Sequence, residues 1–237
     1  MIHAKNEQNS FFSVILCMPK KTAKRQSIVQ AAIEVFSKNS FRSSNISEIA
    51  QKANVAEGTI YQYFKSKEDL FFSIPIEKTK EFTRELDLHL QGITGAVNKI
   101  RKFIWYYLYF FKMNPDYGRI LMLEMRVSKS FTETETYNFL KKSTSRILEV
   151  IEEGQEENVI RKDTNRYLNR QLILGILEHI VTRWLLKEGK YDLMEHYNGV
   201  TELVFHGICN SQTQIPGGPG IAASEMEMPS ASNRTVG

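Results

Sequence analysis

From Thr22 to Asn210 the apolar residues return every three or four positions, and Val, Ile and Thr never fall into the alternation of a half-buried strand. That period confines the chain to an all-α fold. Ile28, Ala31, Ala32, Val35 and Phe36 share one face of a first helix expected from about Thr22, a candidate N-cap, and ended by "KNSF" at 38–41. A second helix should open at Ser44 or Asn45 and carry Ile46, Ile49, Ala50 and Ala53. A third should run from about Ala56 to Phe64 with Ile60 inward, and a fourth should start at Ser66 and bend at Pro75. Longer segments follow at about 94–113, 115–127, 132–157, 164–188 and 191–209. Short links between them predict an antiparallel bundle. With 237 residues, 42% of them apolar, the chain can bury a small unit and a larger one.

The periodicity fails at both ends. Residues 1–19 read as an unstructured extension, with Met18 an alternative start, and 211–237 as a disordered tail rich in helix breakers. Between them we expect a three-helix unit at 20–66 and a larger helical unit at 67–210. Residues 18–70 hold nine Lys or Arg against five Asp or Glu, while the rest of the chain balances. The net charge of +4 therefore sits in the small unit, which implies a polyanionic partner there. Cys17 and Cys209 match no metal or redox spacing and fit a reducing cytoplasm. "FFSVILCM" has the wrong flanks for a secretion signal, and no apolar run reaches the roughly 18 residues of a membrane span.

The segment "NISEIAQKANVAEGTIYQYFKSK" (45–67) has the ingredients of a helix-turn-helix. Two helices that cross closely need a small residue at the crossing, here Ala50, and a turn residue that tolerates positive φ, here Asn54. Val55 should plug the corner against Ile46 and Ile49. Ser47, Glu57, Gly58, Thr59, Tyr61, Tyr63 and Lys67 are then left on or near the surface. In such a corner the N-terminal turn of the second helix enters the major groove and neighbouring donors grip phosphates. Tyr61 and Tyr63 also admit a reading as core aromatics, Glu57 either meets a cytosine amino group or is solvated, and Lys65 reads as a solvated charge.

"FRSSNISEIAQKANVAEGTIYQYFKSKEDL" (41–70), preceded by "IVQAAIEVFSKNSF", resembles the DNA-binding domain of the tetracycline-repressor (TetR) family of bacterial transcriptional regulators. The resemblance implies that Tyr61, Tyr63 and Lys67 contact phosphates, and that Ser47, Glu57, Gly58 and Thr59 lie nearest base edges. Three positions depart from the family pattern. Ser40 and Asn54 stand where glycines are usual, and Ala56 replaces a capping Ser or Thr.

In the larger unit, "FIWYYLYFF" (103–111) is apolar nearly all round. Trp105, Tyr106, Tyr109 and Phe110, with Met113, Met122 and Met125, could line an apolar cavity or simply fill a bundle core. "NPDYGRILMLEMRVSKSF" and "ILEVIEEGQEENVIRKDTN" resemble a subgroup of the same family, the FadR-type repressors that respond to fatty acyl-CoA. That resemblance implies a small apolar ligand, with Arg119, Arg126 and Arg183 as candidates for a CoA phosphate. Apolar residues on more than one face of the last two helices suit a homodimer. Leu172, Ile176, Ile180, Val200 and Leu203 are the candidate interface, with Gly175 allowing close helix approach, although burial within one chain accounts for them as well.

The expected partners are thus a duplex DNA operator, an apolar ligand and a second copy, with no membrane and no cofactor. No catalytic residue is expected, since the five histidines pair with no nucleophile and no glycine-rich phosphate loop occurs. Two rivals remain: an all-α metal- or ligand-binding enzyme, for which Glu202, His206 and Cys209 have usable spacing, and a DNA-binding adaptor without a ligand.

Overall fold

The computed structural model describes residues 20–127, 129–211 and 213, so the expected extension (1–19) and most of the expected tail lie outside the described residues. Ten α-helices are described: α1 Lys20–Ser43, α2 Ile46–Lys52, α3 Glu57–Tyr61, α4 Lys67–Leu90, α5 Ala96–Met113, α6 Pro115–Gly118, α7 Glu135–Ser143, α8 Ser145–Glu156, α9 Arg166–Leu186 and α10 Tyr197–Ile208. A π-helical turn, Arg119–Met125, continues α6, and 3-10 turns at Lys129–Glu133 and Leu193–His196 precede α7 and α10. Among the described residues the only strand-like pairing is an isolated bridge between Ile160 and Cys209, which ties the α8–α9 link to the end of α10. None of the described helices is long and apolar enough to cross a membrane.

Local chemistry sets most boundaries. The Asn45 side chain accepts from the Glu48 amide to open α2, and the Ser66 hydroxyl accepts from the Asp69 amide to open α4. Helix α1 is already formed at Lys20, so Thr22 lies inside it rather than capping it. Near its end, Ser40 is held at φ 61°, ψ 162°, a conformation that only glycine adopts without strain. Helix α4 runs on through Pro75, which supplies no amide to bond the Phe71 carbonyl.

The expected helix over 132–157 is broken at Thr144. Ser143 and Thr144 turn their hydroxyls onto the carbonyls of Leu140 and Lys141, at 2.7 and 2.8 Å, and so compete with the helical ladder.

Helix α5 is the centre of the larger unit, packed by α4, α8, α9 and α10, with Ile100, Ile104 and Leu108 fully buried. Its aromatic residues pack on one another and on Phe82 of α4 in edge-on and tilted pairs, with centroid separations of 5.0 Å for Phe82–Tyr106 and 5.2 Å for Phe82–Phe110. In the small unit Ile28, Ala32, Phe36, Ile49, Ile60 and Phe64 are buried, and they join the apolar core of the larger unit, with Phe36 edge-on to Phe71 of α4 at 5.2 Å.

Candidate functional site

The corner between α2 and α3 is built as its sequence demands. Ala50 is buried at the crossing, Asn54 takes φ 53°, and the Val55 amide donates to the Ala50 carbonyl at 3.0 Å, closing the turn. Val55 is half-buried against the core. Helix α3 starts at Ala56 with no side-chain cap and lasts only five residues. The missing cap oxygen costs about 1 kcal/mol and leaves the opening amides of α3 without a side-chain acceptor.

Around this corner the predicted DNA contacts divide into two groups. Ser47, Glu57, Gly58 and Tyr61 are exposed, Tyr61 at 54%. A Cβ placed on Gly58 would meet nothing within 4 Å, so that surface is open to close approach. Thr59 and Tyr63 are half-buried, and Tyr63 leans on the core.

Lys67 is half-buried and already engaged. Its ammonium donates to the carbonyls of Phe41 and Ser44, both at 2.9 Å, and lies 4.5 Å from the centroid of the Phe41 ring. An ammonium has three protons, so one is left for another acceptor.

Sequence reasoning missed what holds the other side of Phe41. The Phe41 amide donates to Glu124 Oε2 at 2.8 Å, and Glu124 belongs to the π-helical turn of the larger unit. The strained residue Ser40 is thus followed by a residue gripped at its N–H from the π-helical turn and at its carbonyl from α4. The one available signal was Glu124 itself, a lone carboxylate inside the apolar run "ILMLEM". π-helical turns are rare and occur often at functional positions.

In the larger unit, Tyr106, Phe110, Met122 and Met125 are buried, and Trp105 and Tyr109 are half-buried and stacked, 5.1 Å apart and 7° from parallel. Tyr106 Oη donates to Glu85 on α4 at 2.7 Å. Burial first, and this carboxylate second, push the Tyr106 phenol well above its ordinary range. Met113 is exposed, away from the apolar centre. Arg126 pairs with Glu178, Arg119 is half-buried in the π-helical turn, and Arg183 is exposed near the end of α9.

Of the candidate interface, Leu172 and Leu203 are exposed at 39% and 69%, and Ile176 and Ile180 are half-buried. Val200 is 4% exposed and belongs to the chain's own core, so it drops out of the set. Gly175 has nothing near it within the chain, whereas Leu172 lies over Gly207 of α10. His206 Nδ1 sits 2.8 Å from the Glu202 backbone oxygen, and among the described residues no three His, Cys, Asp or Glu side chains converge.

A trihelical head with a helix-turn-helix corner, mounted through α4 on a larger helical body, defines a DNA-binding transcriptional regulator. The profile of "Bacterial regulatory proteins, tetR family" matches residues 28–74, and that of "YsiA-like protein, C-terminal region" matches 76–207. The chain belongs to the TetR family. It is 32% identical over 193 residues to the "Fatty acid metabolism regulator protein" of Bacillus subtilis (strain 168), covering 81% of this chain and all of that one. Among solved structures it is similar to FadR from Bacillus halodurans, with a TM-score of 0.74 and 29% identity over 78% of this chain and 95% of that one. The FadR of B. subtilis in complex with stearoyl-CoA gives a TM-score of 0.73 and 31% identity over 77% and 98%. These relatives are regulators, not enzymes.

Proposed function

We propose that the protein is a cytoplasmic, homodimeric repressor whose hold on its operator is released by a long-chain fatty acyl-CoA. Residues 20–66 form the reading head and 67–210 the ligand-binding and dimerisation body. Ser47, Glu57, Gly58 and Thr59 face base edges, and Tyr61, Tyr63 and the remaining proton of Lys67 face phosphates. The partner copy meets Leu172, Ile176, Ile180 and Leu203, since a twofold contact needs an apolar face that its own chain leaves open. Trp105, Tyr106, Tyr109, Phe110, Met122 and Met125 surround the acyl chain, with Arg126 beside them.

The observation that carries this reading is the Phe41 peptide, held by Glu124 at its amide and by Lys67 at its carbonyl. A ligand releases DNA only by the difference in its affinity for two arrangements of the protein. The double grip gives the body a short, rigid path to the head. Because the α5 aromatics are packed together, an acyl chain must open them and move α4, which touches them through Phe82 and Glu85. That movement reaches Lys67 and so the spacing of the two heads. A tenfold to hundredfold loss of operator affinity needs about 1.4–2.7 kcal/mol of coupling, within the usual range.

The test is fluorescence anisotropy of the full chain on an operator selected from random duplexes, with and without stearoyl-CoA. Affinity should fall at least tenfold on addition of the ligand. No change at a saturating concentration would overturn the acyl-CoA reading. Three phosphate-contacting residues per subunit neutralise about six phosphates per dimer, so the log–log salt slope should be about −5.

A further inference from the structure

Beyond the C-terminal end of α4, an open cavity of about 360 Å³ is lined by Gly92, Ile93, Thr94, Asn98, Arg101 and Lys102. Its size is in the range of small-molecule sites. Nε and Nη2 of Arg101 and the hydroxyl of Tyr197 are buried without a well-formed hydrogen bond, the guanidinium and the hydroxyl leaning on each other. The guanidinium stacks 5.2 Å from the centroid of Phe205. A guanidinium is never neutral and donates through every nitrogen, so burying two of them without a well-formed hydrogen bond is unfavourable.

Several other cations of the body are paired. Lys99 pairs with Glu153, Lys112 with Asp192, Arg126 with Glu178 and Arg166 with Glu152. Among the described residues neither Arg101 nor Lys102 has a carboxylate partner. Lys102 instead lies 4.6 Å from the Trp105 ring centroid, and burial lowers its pKa. The α5 amide at Ala96 is already taken by Glu157 at 3.1 Å, so the unmet demand is that of the side chains and not of the helix end.

We propose that this cavity is an anion subsite that takes the phosphate-bearing end of the inducer. Arg101 and Lys102, both on the cavity wall, offer more donors than one carboxylate can accept, and the cavity has room for a larger anion. Trp105 and Tyr109, three and seven residues after Lys102, continue from it along the same side of α5 as a stacked, half-buried aromatic pair. The inference rests on the acyl-CoA reading for the identity of that phosphate, but not for the existence of the site. It also gives the ligand a handle on the head. Residues 91–95 follow α4 directly, and α4, about 36 Å long at 1.5 Å per residue, carries Lys67 at its other end.

The test is calorimetric titration of the full chain and of the double variant Arg101→Met, Lys102→Gln with stearoyl-CoA, CoA, stearate and sodium pyrophosphate, together with the ligand-free Tm. Methionine keeps cover over Phe205 while removing the charge. The double variant should bind stearoyl-CoA and CoA at least tenfold more weakly, bind stearate as the parent does, and match or exceed the parent's Tm. Equal binding of stearoyl-CoA by both proteins overturns the subsite and leaves the acyl-CoA reading standing. If the parent binds pyrophosphate but not stearoyl-CoA, and the variant binds neither, the subsite stands and the acyl-CoA reading falls. A lower ligand-free Tm with unchanged affinities means that Arg101 is structural, and also overturns the proposal.

Discussion

The head and the body are both helical and share one continuous apolar core, yet they hold the groups proposed to bind DNA and ligand in opposite ways. In the head, Ser47, Glu57, Gly58 and Tyr61 stand outward on a small core and contribute little to holding it together. In the body, Tyr106, Phe110, Met122 and Met125 are part of the packing, so any ligand site there must be opened at the expense of core contacts. A region that binds through its surface separates stability from function. One that binds through its interior couples them, and that coupling is what a ligand-gated switch requires.

Two glycines break this comparison most directly. A Cβ on Gly154 of α8 would lie 2.5 and 2.7 Å from Ile160 Cδ1 and Cγ1 and 2.9 Å from Ala96 Cβ, while one on Gly58 meets open space. Gly154→Ala should therefore destabilise the chain by roughly 2–3 kcal/mol through overpacking. Gly58→Ala should leave stability unchanged or raise it by about 0.5–1 kcal/mol, as alanine does in a helix, while weakening operator binding. Thermal or denaturant unfolding of both variants reads the difference. If Gly58→Ala cost as much as Gly154→Ala, the head would be no looser than the body.

The same contrast explains what was legible in the sequence. The corner could be read because Ala50, Asn54 and the inward Ile46, Ile49 and Ile60 leave only a few positions outside, and those outside are polar. The body could be read as a bundle, but not further. A buried aromatic looks the same in sequence whether it fills a core or lines a site, and Val200 could not be told from Leu203 by type. The grip on Phe41 left only the lone Glu124 as a trace because both of its bonds end on backbone atoms, and Arg101 left none because its oddity is the absence of a carboxylate partner. Thr144 shows the limit for boundaries, since hydroxyls that bond backward ended a helix that apolar spacing carried through.

The junction between the two regions is the next place to apply pressure. Replacing Glu124 by Ala removes a charged acceptor from the Phe41 amide, a bond of a class worth roughly 1.5–3 kcal/mol. We expect Glu124→Ala to lower Tm moderately and to reduce the effect of stearoyl-CoA on operator affinity at least tenfold, with Glu124→Gln, which keeps an acceptor, in between. Normal release of Glu124→Ala by the ligand would show that the body reaches the head by another route. Lys67→Ala sharpens the same point through the salt dependence of DNA binding. If the third ammonium proton meets a phosphate, the slope should flatten by about 2 per dimer. If Lys67 only clamps Phe41 and Ser44, affinity falls with the slope intact.

Tyr61→Phe isolates the head alone. The ring is 54% exposed and packs on nothing essential, so removing the hydroxyl should leave Tm unchanged and weaken DNA binding by about 1 kcal/mol per subunit, equally for all sequences, as loss of a phosphate contact does. A fall in Tm would place Tyr61 among the structural residues and shrink the predicted contact surface.

The smallest expected effect sits where head and body meet. Ser40 occupies φ 61°, ψ 162°, one residue before the gripped peptide, and a non-glycine residue there carries about 1–3 kcal/mol of strain. Glycine relieves that strain but gives back about 0.5–1 kcal/mol in chain entropy, so Ser40→Gly should stabilise the chain by roughly 0.5–1 kcal/mol net. If Ser40 is strained only because Glu124 and Lys67 hold the next peptide in place, the gain should vanish in the Glu124→Ala background. A double-mutant cycle on the two positions measures this, and full additivity would mean that the strain at Ser40 is independent of the grip on Phe41.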